Sequence, residues 1–447
     1  MKKINFYCLA ALSFLGACAS DNQVTNVEVV TPKTVNNSSA AANESIAANV
    51  IPNKNIVPPQ NNLPTPLPPL TKPATGEIIF SLSNFASLPN WVNTDVSAAR
   101  KSLINSCNAI IYKSANNFLS EKAQYAGRIS DWLEVCNLAK QGDVSDREFF
   151  ENNFQAWEVK TENSNTGRLT SYFEPVISGS FTPDNINTEA LYEKPKDLLT
   201  IELGDFDPSL KAKTIVGRIS GNNFIPYLKR ADINPNNTKP IFYTNIGDAI
   251  SLQIQGSGRI NMDDGKQYRA IFTATNGQPF SSPASELIRR GIMQLSQASA
   301  GNVKKWFETA DPKLAREIIN SNPRTVFYEL KELKDPDTGP KGSQGVPLVA
   351  GGSMAIDPSY HAYGVPIFVS AYSGRIKDTQ NISRLVITQD TGGAIKGPIR
   401  GDLFWGTGVE AGLMAGKVNH DANFWVILPK KIDPSITNPK PKFVAGR

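Results

Sequence analysis

The chain has 447 residues, with 46 Lys plus Arg against 41 Asp plus Glu, a formal charge of +5, and 40% hydrophobic residues. This is an ordinary globular balance with room for two or three domains, and so small a positive surplus does not provide the clustered basic face of a nucleic-acid footprint. Only two histidines occur, His361 and His420, with no His-x-x-x-His or Cys-x-x-Cys pair, so neither a metal site nor a cofactor is expected.

Lys2 and Lys3 precede an apolar run from Tyr7 to Leu15, then Gly16, Ala17 and Cys18. A basic start, a short apolar core and small residues at the cut predict a signal peptide over residues 1–18. Leu15-Gly16-Ala17-Cys18 also resembles a bacterial lipobox, which implies lipidation of Cys18 and anchoring to a membrane by several acyl chains; a plain secreted protein is the other reading. Ala19, where an aspartate would signal retention, points to the periplasmic face of the outer membrane. Residues 19–77 hold nine prolines, ten asparagines and no aromatic residue. Such a stretch cannot bury enough surface to fold and reads as a disordered tether.

Order is expected from Ile78-Ile79-Phe80. Ala98–Lys113 sets Leu103, Ile104, Cys107, Ile110 and Ile111 at helical spacing, and Ser130–Ala139 does the same with Trp132, Leu133 and Cys136. Cys107 and Cys136 are a candidate disulfide in an oxidising compartment, two buried thiols being the alternative; closing that loop would be worth roughly 3–4 kcal/mol. Ser145 and Glu148 form a capping box for a third helix ending near Trp157.

From Gly167 the pattern turns to short strands. Gly167–Ile177 is one, meeting Pro175; Thr214–Ile219, Phe224–Tyr227, Pro240–Tyr243, Ile250–Ile254 and Tyr268–Ala274 follow. Helical patterns cover Ala284–Met293, Ala300–Thr309 and Pro312–Asn320. Strands resume at Val346–Val349, Val365–Ala371, Leu385–Thr388, Leu403–Trp405 and Phe424–Leu428. The expected fold class is mainly β with some α.

Chemistry concentrates in Gln389–Gly408, where Asp390 and Asp402 bracket a loop bearing Gly392, Gly393, Gly397 and Gly401. Asp357, before Pro358, is a third acid in a comparable setting. Each aspartate alone reads as readily as a turn former. There is no Gly-x-Ser-x-Gly elbow and no serine–histidine–aspartate pattern, so acid–base work by carboxylates is what remains. Gln255-Gly256-Ser257-Gly258 reads either as a hairpin or as a backbone loop approaching a ligand.

Tyr172-Phe173-Glu174-Pro175, Gln255-Gly256-Ser257-Gly258 and Asp390-Thr391-Gly392-Gly393 through Asp402 occur in this order, and together they resemble the membrane-bound lytic transglycosylase A (MltA) family with its C-terminal three-aspartate domain. The resemblance covers roughly residues 165–430. It implies a double-psi β-barrel domain with a second, smaller β-barrel domain inserted and a groove between them. On this sequence the barrel would span 78–173 plus 338–435 and the insert 174–337. It also implies cleavage of the β-1,4 bond between N-acetylmuramic acid and N-acetylglucosamine in peptidoglycan strands, closing a 1,6-anhydro ring. By motif, Asp402 would be the acid and base, with Asp390 and Asp357 supporting it. Thr170, Tyr172, Glu174, Gln255, Gly256, Ser257, Gly258, Gly393 and Lys396 would bind sugar. Trp405 reads as a stacking platform or a core residue. Ser171 and Phe173 depart from the family's usual glycine and tyrosine. Cell-wall synthesis or division proteins are candidate partners. A non-catalytic, expansin-like peptidoglycan-binding lipoprotein is the competing reading, since fold alone does not decide function.

Overall fold

The computed structural model describes residues 76–210, 213–294, 297–298, 300–372 and 380–437. The expected signal peptide, the lipobox cysteine Cys18 and nearly all of the tether lie outside the described residues.

The N-terminal part contributes β1 (Ile79–Leu82), α1 (Ser97–Ile110), α2 (Leu133–Gln141), α3 (Asp146–Asn153), β2 (Phe154–Lys160) and β3 (Gly167–Glu174). A disulfide joins Cys107 of α1 to Cys136 of α2. Ser145 caps α3 together with Glu148, as its spacing predicts. The helix stops at Asn153, short of the expected Trp157, where an extended strand begins with both faces covered: Phe154 and Ala156 are buried on one side of β2 and Trp157 and Val159 on the other.

The middle of the chain supplies β4 (Val176–Gly179), β5 (Glu189–Tyr192), β6 (Leu199–Glu202), β7 (Thr214–Ser220), β8 (Asn223–Pro226), β9 (Pro240–Thr244) and α4 (Ile246–Gln255). Then come β10 (Gly258–Met262), β11 (Gln267–Thr275), α5 (Pro283–Arg289), α6 (Ala300–Thr309), α7 (Pro312–Asn320) and β12 (Val326–Glu332). These strands form sheets of four (β12-β11-β10-β4), two (β5-β9) and three (β6-β7-β8). The expected strand Ile250–Ile254 is helical. Ile250, Leu252 and Ile254 alternate, but Ile246, Ala249 and Ile250 continue at helical spacing, and the Asn245 side chain accepts from the Asp248 amide to cap the helix.

The C-terminal part adds β13 (Ser353–Ala355), β14 (Pro366–Tyr372), β15 (Ile382–Asp390), β16 (Arg400–Thr407), α8 (Gly408–Ala415) and β17 (Asn419–Pro429). Val346–Val349 forms no strand, only an isolated bridge between Lys341 and Pro347; a proline cannot donate to a ladder. These strands join β1, β2 and β3 in one sheet of order β1-β2-β17-β14-β15-β13-β16-β3. Because β17 also pairs with β3, the sheet closes on itself through β17, β14, β15, β13, β16 and β3. Two of its pairings, β13 with β15 and β16 with β3, are parallel. The chain is thus mainly β with some helix, with a closed barrel of double-psi type. Leu169, Met354, Val386, Leu403 and Phe424 belong to the continuous core cluster that includes the barrel strands. Gly401 is required there: a Cβ on it would lie 2.5 Å from the Met354 sulfur. Among the described residues no helix is long and apolar enough to cross a membrane.

Candidate active site

The short strand β13 lies between β15 and β16, and its last residue sets the site's register. Ala355 pairs with Asp390 on one side and with Asp402 on the other. Asp402 in turn pairs with Thr170 of β3, and Thr170 with Asn419 of β17. Five strands therefore bring Asp390, Ala355, Asp402, Thr170 and Asn419 into one row. The two acids stand two strands apart, roughly 9–10 Å between Cα atoms at ordinary strand spacing.

The two acids keep different company. Thr170 Oγ1 donates to Asp402 Oδ1, and Arg400 Nη2 donates to the same threonine oxygen at 2.7 Å. Arg400 also donates to the Gly401 carbonyl. Burial pushes the Asp402 carboxyl above the usual aspartate value; Arg400 and the Thr170 hydrogen bond act against that, and the charge of Asp390 adds to it. Asp390 Oδ2 accepts from the Tyr172 hydroxyl at 2.7 Å, while Oδ1 accepts from the Ser343 amide and hydroxyl at 2.9 and 2.8 Å. Burial raises the Tyr172 phenol well above its ordinary value, and both aspartates raise it further. The tyrosine thus stays a hydrogen-bond donor. Its ring packs 5.3 Å from Phe404.

Thr170 and Tyr172 share a face of β3 because strand side chains alternate. The same rule puts Arg400 and Asp402 on one face of β16. Arg400 and Ser343 were not picked out from the sequence. Arg400 carried a readable signal, standing two residues before a candidate acid in a strand. Ser343 carried none, since it arrives from a loop 47 residues away in sequence.

Asp357 is placed otherwise than expected of a supporting acid. It is only 4% exposed, and its carboxylate accepts from the Ser359 amide at 3.1 Å and the Gly397 amide at 3.0 Å. Gly397 adopts φ 113°, open to glycine but not to side chains that need the usual regions. One residue on, the Pro398 carbonyl accepts from His361 Nε2 at 2.7 Å, and His361 Nδ1 meets the Tyr125 hydroxyl at 2.8 Å. Burial lowers His361 to about 4, so the ring is neutral at neutral pH. Asp357 and His361 thus pin the loop that joins the two acids.

Of the predicted sugar contacts, Gly393 and Lys396 lie on the exposed part of that loop, and Tyr172 and Ser257 are half-buried. Gln255 Oε1 accepts from the Phe173 amide at 3.2 Å, tying the end of α4 to β3. Gly256 follows as the left-handed cap of α4, φ 85°. Two predicted contacts are corrected. Glu174 is 1% exposed; its oxygens are taken by Arg259 Nε at 2.8 Å, Arg269 Nε at 2.7 Å and the Thr407 hydroxyl at 2.7 Å, leaving nothing for a sugar. Gly258 is buried where a Cβ would lie 2.7 Å from Leu252, so its smallness serves packing. Trp405 packs against the core cluster, with Arg384 5.1 Å from its ring centroid.

Two family models match this chain. Residues 168–329 match the model of the MltA specific insert domain, and residues 352–428 match the 3D domain. Both matches support the MltA family. It is 25% identical over 323 residues to the membrane-bound lytic murein transglycosylase A of Escherichia coli K12, covering 71% of this chain and 79% of the relative. The crystal structure of MltA from Neisseria gonorrhoeae is similar with a TM-score of 0.65 at 26% identity, over 82% of this chain and 95% of that one. A membrane-bound lytic murein transglycosylase from Agrobacterium tumefaciens gives the same TM-score and identity over 79% and 98%. The family's insert model begins inside β3, the strand that carries Thr170 and Tyr172.

Proposed function

We propose that this chain is a peptidoglycan lytic transglycosylase, cutting the β-1,4 bond between N-acetylmuramic acid and N-acetylglucosamine and leaving 1,6-anhydromuramic ends. The observation that carries this reading is the setting of Asp402, a carboxyl whose acid form is favoured by burial and which has no direct ion pair among the described residues. The relatives' common name, lytic murein transglycosylase, supports it.

An acid that starts protonated gives its proton to the glycosidic oxygen as the bond to C1 breaks. Positive charge then develops on the muramyl ring. The resulting carboxylate accepts the proton of the same sugar's 6-hydroxyl as that oxygen closes on C1. Asp402 ends protonated, no water is consumed, and one carboxyl serves both transfers where ordinary glycosidases need two. Attack from within the sugar also avoids the entropy of recruiting a second reactant. Thr170, itself held by Arg400, orients Asp402 and steadies its charged form by donating to it. Asp390, fixed by Tyr172 and Ser343, sets negative charge near the developing cation. Asp357 acts one step back, through the loop it holds. Tyr172, Ser257, Gly393 and Lys396 are the sugar contacts of this proposal. It also includes the domain division at 78–173 plus 338–435 around 174–337. Lipid anchoring at Cys18 to the periplasmic face of the outer membrane completes it.

Digesting purified peptidoglycan with the protein and weighing the products tests the reading. Anhydromuropeptides, lighter by one water than hydrolysis products, are expected. Reducing ends would instead mark a muramidase, and binding without release would favour the expansin-like alternative.

A further inference from the structure

The insert region holds a cavity of about 260 Å³, bordered by β5, β9 and α7. Glu189, Tyr192, Arg230, Tyr243, Arg316 and Thr325 line it. Its charges do not balance. Arg316 pairs with Glu189. Among the described residues Arg230, 8% exposed, gives its hydrogen bonds to uncharged acceptors: the Asn322 carbonyl at 3.0 Å, the Gln253 side-chain oxygen at 2.5 Å and the Arg324 carbonyl. Two guanidinium groups thus face one carboxylate. Thr325 is 4% exposed, and its hydroxyl has no hydrogen-bond partner among the described residues. A buried cation that shares its one counter-ion, Glu189, with Arg316 and a buried hydroxyl without a partner are costly. A ligand bearing an anion relieves both.

We propose that this cavity is a second binding site, taking the free carboxylate end of a short peptide. Resting on the reading above, that peptide is of the kind peptidoglycan carries on its muramic acid. One guanidinium charge in excess matches a singly charged carboxylate, to which Arg230 can donate from Nη1 while its Nε and Nη2 stay engaged; a doubly charged phosphate would leave negative charge over. The wall is also partly apolar, with Leu191, Ile233 and Val326 beside the polar groups, which suits small side chains next to the carboxylate. The volume is that of a fragment, below the usual range for drug-sized ligands. The cavity is tied to the active site: the Arg230 side chain bonds Gln253 of α4, and the end of that helix holds β3 through Gln255.

The test is calorimetric titration of the protein with N-acetyl-D-alanyl-D-alanine, its C-terminal amide and inorganic phosphate. The acid should bind saturably, and the amide about tenfold or more weakly, the worth of one charge-assisted contact. Arg316→Gln should weaken the acid by about the same factor. Thr325→Val, which keeps the side chain's shape, should weaken it several-fold and decides the matter if Arg316→Gln melts early. Equal binding of acid and amide, stronger binding of phosphate, no binding of the acid at about 10 mM, a weaker limit than the usual range of specific affinities, or no effect of Thr325→Val would overturn the proposal. Release of anhydro ends from peptide-free glycan by the unaltered protein reads the enzymatic function separately, because that substrate offers this cavity nothing.

Discussion

Two acidic residues along the β3/β16 seam show how one element can host opposite fates for a carboxyl group. Glu174, where β3 ends, is enclosed by two guanidinium groups and a hydroxyl. Asp402, paired with Thr170 four residues earlier on β3, receives one hydroxyl, while the nearby Arg400 spends its donors on that hydroxyl and a carbonyl. Burial is common to both, and charge compensation separates them. The saturated carboxylate fastens the point where the chain leaves the barrel. The under-compensated one has its acid form favoured by burial, as the proposed proton donor requires.

The sharpest way to break this comparison is Asp402→Asn. It should lower release of anhydro products by roughly 10²–10⁴-fold, the usual worth of a general acid or base, with the thermal melt unchanged. Near-normal turnover would remove Asp402 from its role. The mirror experiment is Glu174→Gln, which leaves two buried arginines with a neutral partner. A loss of about 3–5 kcal/mol in chemical denaturation is expected; a melt like that of the parent would make Glu174 dispensable.

Next in size is the response to acid. His361 has a folded value of about 4 against its ordinary 6.5, so the unfolded chain takes up a proton that the folded one refuses. Its contribution, on the order of 3 kcal/mol, is present above pH 6.5 and is lost as pH falls towards about 4. His361→Gln should flatten that part of the stability–pH curve. A smaller effect is expected of Tyr172→Phe, which removes one hydrogen bond to Asp390 and should cost about tenfold in turnover. Activity should also fall on the alkaline side as Asp402 ionises. Arg400→Gln, by removing the largest influence opposing burial, should move that fall to higher pH in a pH–rate profile.

Much of this was readable from residue order. The helices α6 and α7, most strands after Gly167 and the bringing of Asp390 and Asp402 to one place follow from period and motif. What was not readable has a common cause, namely partners distant in sequence. Nothing near Glu174 announces Arg259 and Arg269, and nothing near Asp390 announces Ser343. Nor does the sequence around Asp357 say that its carboxylate will accept from the Gly397 amide. The helix α4 was misread because alternating Ile250, Leu252 and Ile254 satisfy a strand period locally, and the cap at Asn245 went unweighed.

The Thr170–Asp402 contact spans 232 residues, and this has a consequence for how the protein comes into being. Synthesis runs from the N-terminus, and contacts of long sequence separation form late. The intervening sheets of the insert can assemble while the barrel is still an open ribbon, waiting for β13 to β17. A nascent chain, or one cut short before residue 402, has the grip but not the blade. Completion of the barrel and arming of the proposed proton donor are therefore a single folding event.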